Sequence, residues 1–205
     1  MKLSQRLILS LSLIKGDIKM RIEIRKLAEA GYWQAMKGLT LNKMQPLYNM
    51  PNVAEKLCKA TSGSHRKFLR QIMTWWQMKL PRYIWSELDT YKIATTRSSG
   101  STMHNIHKGV LTQSDFVRDI PDTWLWDLNR AIEQYQQGNI EVEDVKTLLP
   151  EGYLQESVYM CSYETLRTII LDRRTHKLPE WKFIIGKILS QVDYIDLLPG
   201  RNIND

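Results

Sequence analysis

Hydrophobic and polar positions change period several times along the chain, and each change marks an element. Arg21-Ile22-Glu23-Ile24-Arg25 alternates with the two-residue period of a half-buried strand. From about Leu27 to Lys37 the pattern reads as a helix closed by Gly38. Residues 39–52, with Pro46, Pro51, Asn42, Asn49 and Asn52, read as a loop, and Val53 to Ala60 as a short helix broken at Gly63 and Ser64. Phe68, Leu69, Ile72, Met73 and Trp76 recur at helical spacing and predict a strong helix over His65 to Met78, interrupted at Pro81. A further helix follows from about Tyr83 to Tyr91, and the hydroxyl-rich stretch Thr95 to Thr102 reads as a loop.

The second half is punctuated more clearly. Asp122 is placed to cap a helix over Trp124 to Gln137, closed by Gly138. Glu141 to Leu148 predicts a short helix stopped by Pro150. Tyr153 to Cys161 predicts a strand with Leu154, Glu156, Val158 and Met160 on one face. Tyr163 to Arg174 reads as a helix, and Pro179 sits in the first turn of a last helix reaching about Val192. With no repeat and no linker, the expectation is one α+β domain.

Composition narrows the classes. The chain has 205 residues, 43% hydrophobic and 25% charged, which suits one folded domain with a real core and excludes a disordered tail. The net charge of +7 favours phosphate-bearing partners without choosing among nucleotides, nucleic acid and lipid headgroups. The basic residues are scattered among acids rather than grouped, which argues against a nucleic-acid surface. Cys58 and Cys161 have neither CxxC spacing nor a disulfide framework, so a reduced, cytoplasmic setting is expected. Near the start, Lys2 and Arg6 precede the apolar run Leu7 to Ile14, far shorter than the ~20 residues of a membrane span. Residues 1–19 are read as an extension or an upstream start, and Met20 as the beginning of the fold unit, residues 20–205. His104 and His107 are spaced H-x-x-H but have no third ligand nearby, so no metal site is expected.

One stretch carries a family signature. His65-Arg66-Lys67-Phe68-Leu69-Arg70-Gln71 is followed, after a break at Pro81-Arg82, by Thr90-Tyr91-Lys92-Ile93-Ala94-Thr95-Thr96-Arg97-Ser98-Ser99-Gly100-Ser101-Thr102-Met103. Downstream stand Val145-Lys146-Thr147-Leu148-Leu149-Pro150 and then Leu166-Arg167 through Leu171-Asp172-Arg173-Arg174, followed by Pro179-Glu180-Trp181. In order and spacing these segments resemble the flavin-dependent thymidylate synthases (the thymidylate synthase complementing protein family). That family shows H-x-S-x-x-E-H, R-H-R-x-x-S-x-N-E-x-S-x-R-Y, A-R-x-V-L-P and L-R-x-x-x-x-A-Q. The resemblance covers roughly residues 21–190. It departs where Thr90, Tyr91 and Lys92 stand for R-H-R, Thr102 and Met103 stand for the closing Arg-Tyr, and Lys146 stands for the box arginine.

The resemblance implies a central, mainly antiparallel sheet flanked by helices, and homotetramers whose sites combine residues of several subunits. It implies one-carbon transfer from methylenetetrahydrofolate to deoxyuridine monophosphate or a related pyrimidine deoxynucleotide, with FAD as cofactor and NADPH as co-substrate. A relative that binds the nucleotide without turnover is the alternative. Carried over residue by residue, Arg173 or Arg174 is the arginine that polarises the pyrimidine, and Ser99 or Ser101 the nucleotide serine. Ser99 joins the arginines in the catalytic set. His65, Arg82, Tyr91, Lys92 and Arg97 fall to the cofactor, and Glu87, Ser98, Ser99, Ser101 and Lys146 to the substrate.

Several of these residues also have ordinary readings. His65 either contacts flavin or starts a helix. Trp75, Trp76, Trp85, Trp124 and Trp126 either stack on a ring or belong to core and interface. Asp172 and Glu180 either orient the arginines or are surface charges.

Overall fold

A computed structural model of the protein describes residues 20–106 and 108–200. The expected extension over residues 1–19 and the histidine His107 lie outside the described residues. Strand β1, Glu23–Ala30, runs on past the point where a helix was expected. A bulge between Lys26 and Ala28 breaks its alternation, and this is why the pattern misleads there. Gly31, at φ 95°, turns the chain directly into helix α1, Tyr32–Lys43, which passes through Gly38 instead of stopping at it. Met44, at φ 50°, closes α1, with its N–H on the Thr40 carbonyl. Helix α2, Met50–Leu57, carries Pro51 in its first turn, so the proline of the expected loop opens a helix.

The helix expected over His65 to Met78 is absent. A 3₁₀ turn, Lys67–Gln71, leads into strand β2, Met73–Pro81. Thr74, Trp76, Met78 and Leu80 are buried, while Met73, Trp75, Gln77 and Lys79 are half-buried. A central strand covered on one face and partly apolar on the other hides its period of two. Helix α3, Arg82–Leu88, follows at once. The hydroxyl-rich stretch is not a loop: Thr95–Ser99 forms strand β3, a short polar edge. After a single turn α4, Thr102–Asn105, come helices α5, Asp122–Gln136, and α6, Val142–Leu148. Asp122 is the first residue of α5 and not its cap. Gly138, at φ 76°, follows its end as expected. Glu141 and Asp144 close a capping box at the start of α6.

Strand β4, Leu154–Ser162, lies in the centre of the sheet. Its buried face is Ser157, Tyr159 and Cys161. Glu156 and Val158 of the expected face are exposed and Met160 is half-buried. Ser162 caps helix α7, Tyr163–Arg173, by accepting the Thr165 N–H. Helix α8, Pro179–Leu189, begins on its proline as expected. The sheet order is β1-β2-β4-β3 with every neighbouring pair antiparallel. The architecture is therefore α+β, with an antiparallel sheet flanked by helices.

The main core joins Trp76, Met78, Tyr159 and Cys161 of the sheet to Trp85, Leu166, Ile169, Trp181, Ile184 and Ile188 of the helices. A second cluster, with Phe116, Leu128, Ile132 and Val145, holds α5 against α6. Trp76 and Trp85 are thus core residues, whereas Trp124 and Trp126 are 57% and 59% exposed. Among the described residues no helix is long and apolar enough to cross a membrane.

Both cysteines are buried, and burial pushes the Cys161 thiol up to about 12 and raises that of Cys58. Because the thiolate is the reacting form, native protein at pH 8 is expected to show no rapid reaction with a thiol-disulfide dye. Both thiols should react after unfolding in guanidinium. A fast stoichiometric phase in the native state would contradict this packing.

Candidate functional site

The start of α3 is tied to the segment that follows α6. The Arg82 N–H donates to the Tyr153 carbonyl at 3.1 Å, and its guanidinium donates to the Leu149 carbonyl at 3.2 Å and pairs with Glu151 at 3.4 Å. Ile84, Trp85 and Leu88 bury one side of α3. Tyr83 and Glu87, one helical turn apart, point their polar ends at residues of α8.

Glu87 is the hub. Its Oε2 accepts from Trp181 Nε1 at 2.6 Å and lies 2.9 Å from Arg173 Nη1 and 3.8 Å from His176 Nε2. Arg173 Nε donates to the Tyr91 hydroxyl at 3.0 Å, and that hydroxyl donates to Asp172 at 3.2 Å. The guanidinium also lies 5.2 Å from the centre of the Trp181 ring and 5.7 Å from that of Tyr91. Burial raises the Tyr91 phenol above its usual range, against the opposing pull of Arg173.

One residue before Trp181, Glu180 is fully buried. Its Oε1 accepts from Tyr83 at 2.9 Å and from Arg118 at 2.8 Å, while Oε2 has no hydrogen-bond partner among the described residues. Burial, and then Glu180, push the Tyr83 phenol upward. Glu180 is therefore neither a surface charge nor a partner of Arg173. Asp172 reaches Tyr91, and Glu87 is the acid that holds the arginine.

Three expected site residues, Glu87, Tyr91 and Arg173, thus meet in one contact set. Arg174, the alternative to Arg173, is exposed at the end of α7. Arg97 on β3 lies 3.2 Å from Asp89, without hydrogen-bond alignment, and 4.9 Å from the centre of the Trp85 ring. Ser98 and Ser99 are exposed on β3, and Ser101 is half-buried just before α4. Lys146 is half-buried on α6, and His65 and Lys92 are exposed. His65 precedes a 3₁₀ turn rather than heading a helix. Among the described residues no cluster of three or more metal-ligating side chains occurs. The sequence reading missed Tyr83, Asp89, Arg118 and His176 as partners. The only local signal was the one-turn spacing of Tyr83 and Glu87.

No protein-family model matches the chain and no curated protein sequence does. Solved structures do. Thymidylate synthase X (ThyX) from Helicobacter pylori with FAD and dUMP matches with a TM-score of 0.73 at 15% identity, covering 87% of this chain and 100% of that one. A flavin-dependent thymidylate synthase ThyX from the same organism, complexed with FAD and dUMP, matches with a TM-score of 0.73 at 14% identity, over 86% and 98%. The fold is that of ThyX.

On that fold the cofactor candidates form a poor cradle for a flavin diphosphate within one protomer. A diphosphate needs cations with free donors. Arg82 donates to Leu149 and pairs with Glu151, while Arg97 lies against Asp89 and the Trp85 ring with its buried Nη1 lacking a hydrogen-bond partner among the described residues. Tyr91 is committed to Asp172 and Arg173. Only His65 and Lys92 of that set stand exposed without such ties. Within one chain, Arg82 and Tyr91 are therefore held by protein partners, which suits a flavin diphosphate poorly.

Proposed function

We propose that the protein is a divergent relative of ThyX that binds a pyrimidine deoxynucleotide at the Glu87–Tyr91–Arg173 cluster. The observation that carries this reading is the convergence of residues from α3, the following loop and α7 on one partly open, charged and aromatic site. Arg173 and Glu87 address the base, and the Tyr91 and Trp181 rings steady the guanidinium. Lys92, Lys146 and Arg174, with the hydroxyls of Ser98, Ser99 and Ser101, are the groups we assign to the phosphate and sugar. A +7 chain attracts such an anion.

The test is isothermal titration of deoxynucleoside monophosphates into the purified protein. Saturable binding of a pyrimidine nucleotide, with purine nucleotides at least about tenfold weaker, is expected. Equal binding of purines and pyrimidines, or none, removes the reading.

A second reading is the flavin-dependent one-carbon transfer itself, from methylenetetrahydrofolate with NADPH as reductant. Its support is the fold, shared with structures that hold FAD and dUMP. There a bound flavin would supply the hydride, and the protein's part would be to orient rings and neutralise phosphate. A homotetramer that completes the flavin site with a second protomer's residues would reconcile this reading with the poor fit within one chain. A flavin absorption band retained after desalting, in a tetramer by light scattering, supports it. A folded tetramer that retains no flavin and releases no tritium from a labelled pyrimidine ends it.

A further inference from the structure

We infer that the base this site is built to select is cytosine rather than uracil. The inference rests on the pyrimidine-nucleotide reading and deepens it. It starts from what the two charged partners can offer. A guanidinium has only donors and a carboxylate only acceptors. Arg173 and Glu87 are fixed side by side by their 2.9 Å ion pair, so the site shows a ligand donors next to acceptors along one edge.

The commitments of each group decide what is left. On Arg173, Nε–H donates to Tyr91, and Nη1 lies 2.9 Å from Glu87 Oε2 as an ion pair. Nη1 and Nη2 keep hydrogens to offer, one donor from each nitrogen along the edge that faces the ligand. On Glu87, Trp181, Arg173 and His176 all act on Oε2, and Oε1 takes none of them. The edge therefore reads donor, donor, acceptor.

Cytosine is the complement of that edge. Its O2 and N3 are acceptors and its 4-amino group is a donor, so O2 and N3 face Arg173 while the amino group reaches Glu87 Oε1. Uracil presents acceptor, donor, acceptor. Its N3–H would face the guanidinium, and its O4 would face a carboxylate with no proton between them. Leaving such groups unmatched in a partly buried site is what gives polar recognition its selectivity. The neighbouring carboxylate is buried against Tyr83 and Arg118 and does not change the pattern offered by Glu87.

The experiment is calorimetric titration of the wild-type protein with three nucleotides: dCMP, dUMP, and the 2-pyrimidinone deoxyribonucleotide, which is dCMP without its 4-amino group. Binding of dCMP is expected to be tighter than that of dUMP by about tenfold or more, with the 2-pyrimidinone weakened by a similar factor. In Glu87→Gln the dCMP:dUMP ratio is expected to fall towards one, because an amide offers a donor as well as an acceptor. Should that variant fail to fold, the 2-pyrimidinone comparison decides alone. Wild-type binding of dUMP as tight as that of dCMP, or a 2-pyrimidinone nucleotide as tight as dCMP, overturns the cytosine assignment while leaving the nucleotide reading intact. No binding of any of the three removes the nucleotide reading and this inference with it.

Discussion

Gly31→Ala is expected to destabilise the protein severely, by more than the ~1–3 kcal/mol of a strained left-handed residue alone. Gly31 sits at φ +95°, between the end of β1 and the start of α1. A Cβ there would stand 2.0 Å from the Gln71 carbonyl oxygen and 3.0 Å from its carbon. The obstacle is backbone, so no rotamer change relieves it. Gln71 ends the 3₁₀ turn that leads into β2, and Ala30 pairs with Met73 across β1 and β2, so any relief must shift the register of the sheet. Gly138→Ala is the control. It also has positive φ, +76°, but nothing lies within 4 Å of the added carbon. It should cost only about 1–2 kcal/mol, the price of the backbone conformation. Urea melts of the two variants check this. Equal shifts in midpoint would mean that the Gln71 contact does not constrain the fold.

The same corner of the structure shows why the first half of the chain was hard to read. Up to Arg25 the alternation is regular. The bulge before Ala28 follows, and Ala-Glu-Ala favours a helix by composition. In β2, Trp75 and Met73 on the partly open face add apolar residues to the buried series Thr74, Trp76, Met78, so helical spacing appears by coincidence. Thr95 to Ser99 has no apolar face at all. Pairing with β4 makes it a strand, and that pairing is not local. From Asp122 onward the elements were legible, because Gly138, Pro150 and Pro179 act as local stops and starts.

The site divides along the same line. The motif resemblance pointed to Glu87, Tyr91 and Arg173, and the structure brings these together. It did not point to the contacts that fix them. Trp181 lies 94 residues from Glu87, and Arg118 lies 62 residues from Glu180. Contacts at such separations leave no periodic trace in a sequence. Arg173 and Arg174, which the resemblance leaves as alternatives, differ in surroundings because adjacent residues at the end of α7 point about 100° apart. That rotation puts Arg173 against Glu87 and leaves Arg174 exposed.

Arg173→Ala is expected to weaken pyrimidine-nucleotide binding by about a hundredfold or more, while the protein remains folded. The side chain is 18% exposed, spans Glu87 and Tyr91, and lies near the rings of Tyr91 and Trp181. Its removal deletes the donors offered to the base and frees a carboxylate that repels a nucleotide monophosphate. The fold tolerates the change because Glu87 keeps the Trp181 N–H at 2.6 Å and is 27% exposed to water, so the stability cost should stay within about 1–3 kcal/mol. Arg173→Lys separates charge from geometry. It restores a cation opposite Glu87 but not the planar fork, so stability should recover more than affinity does. Calorimetric titration alongside thermal melts measures both quantities on the same samples. An alanine variant that binds nucleotide as the wild type does would show that Arg173 serves only to pin α7 to α3, and the ligand would have to be sought along β3 instead.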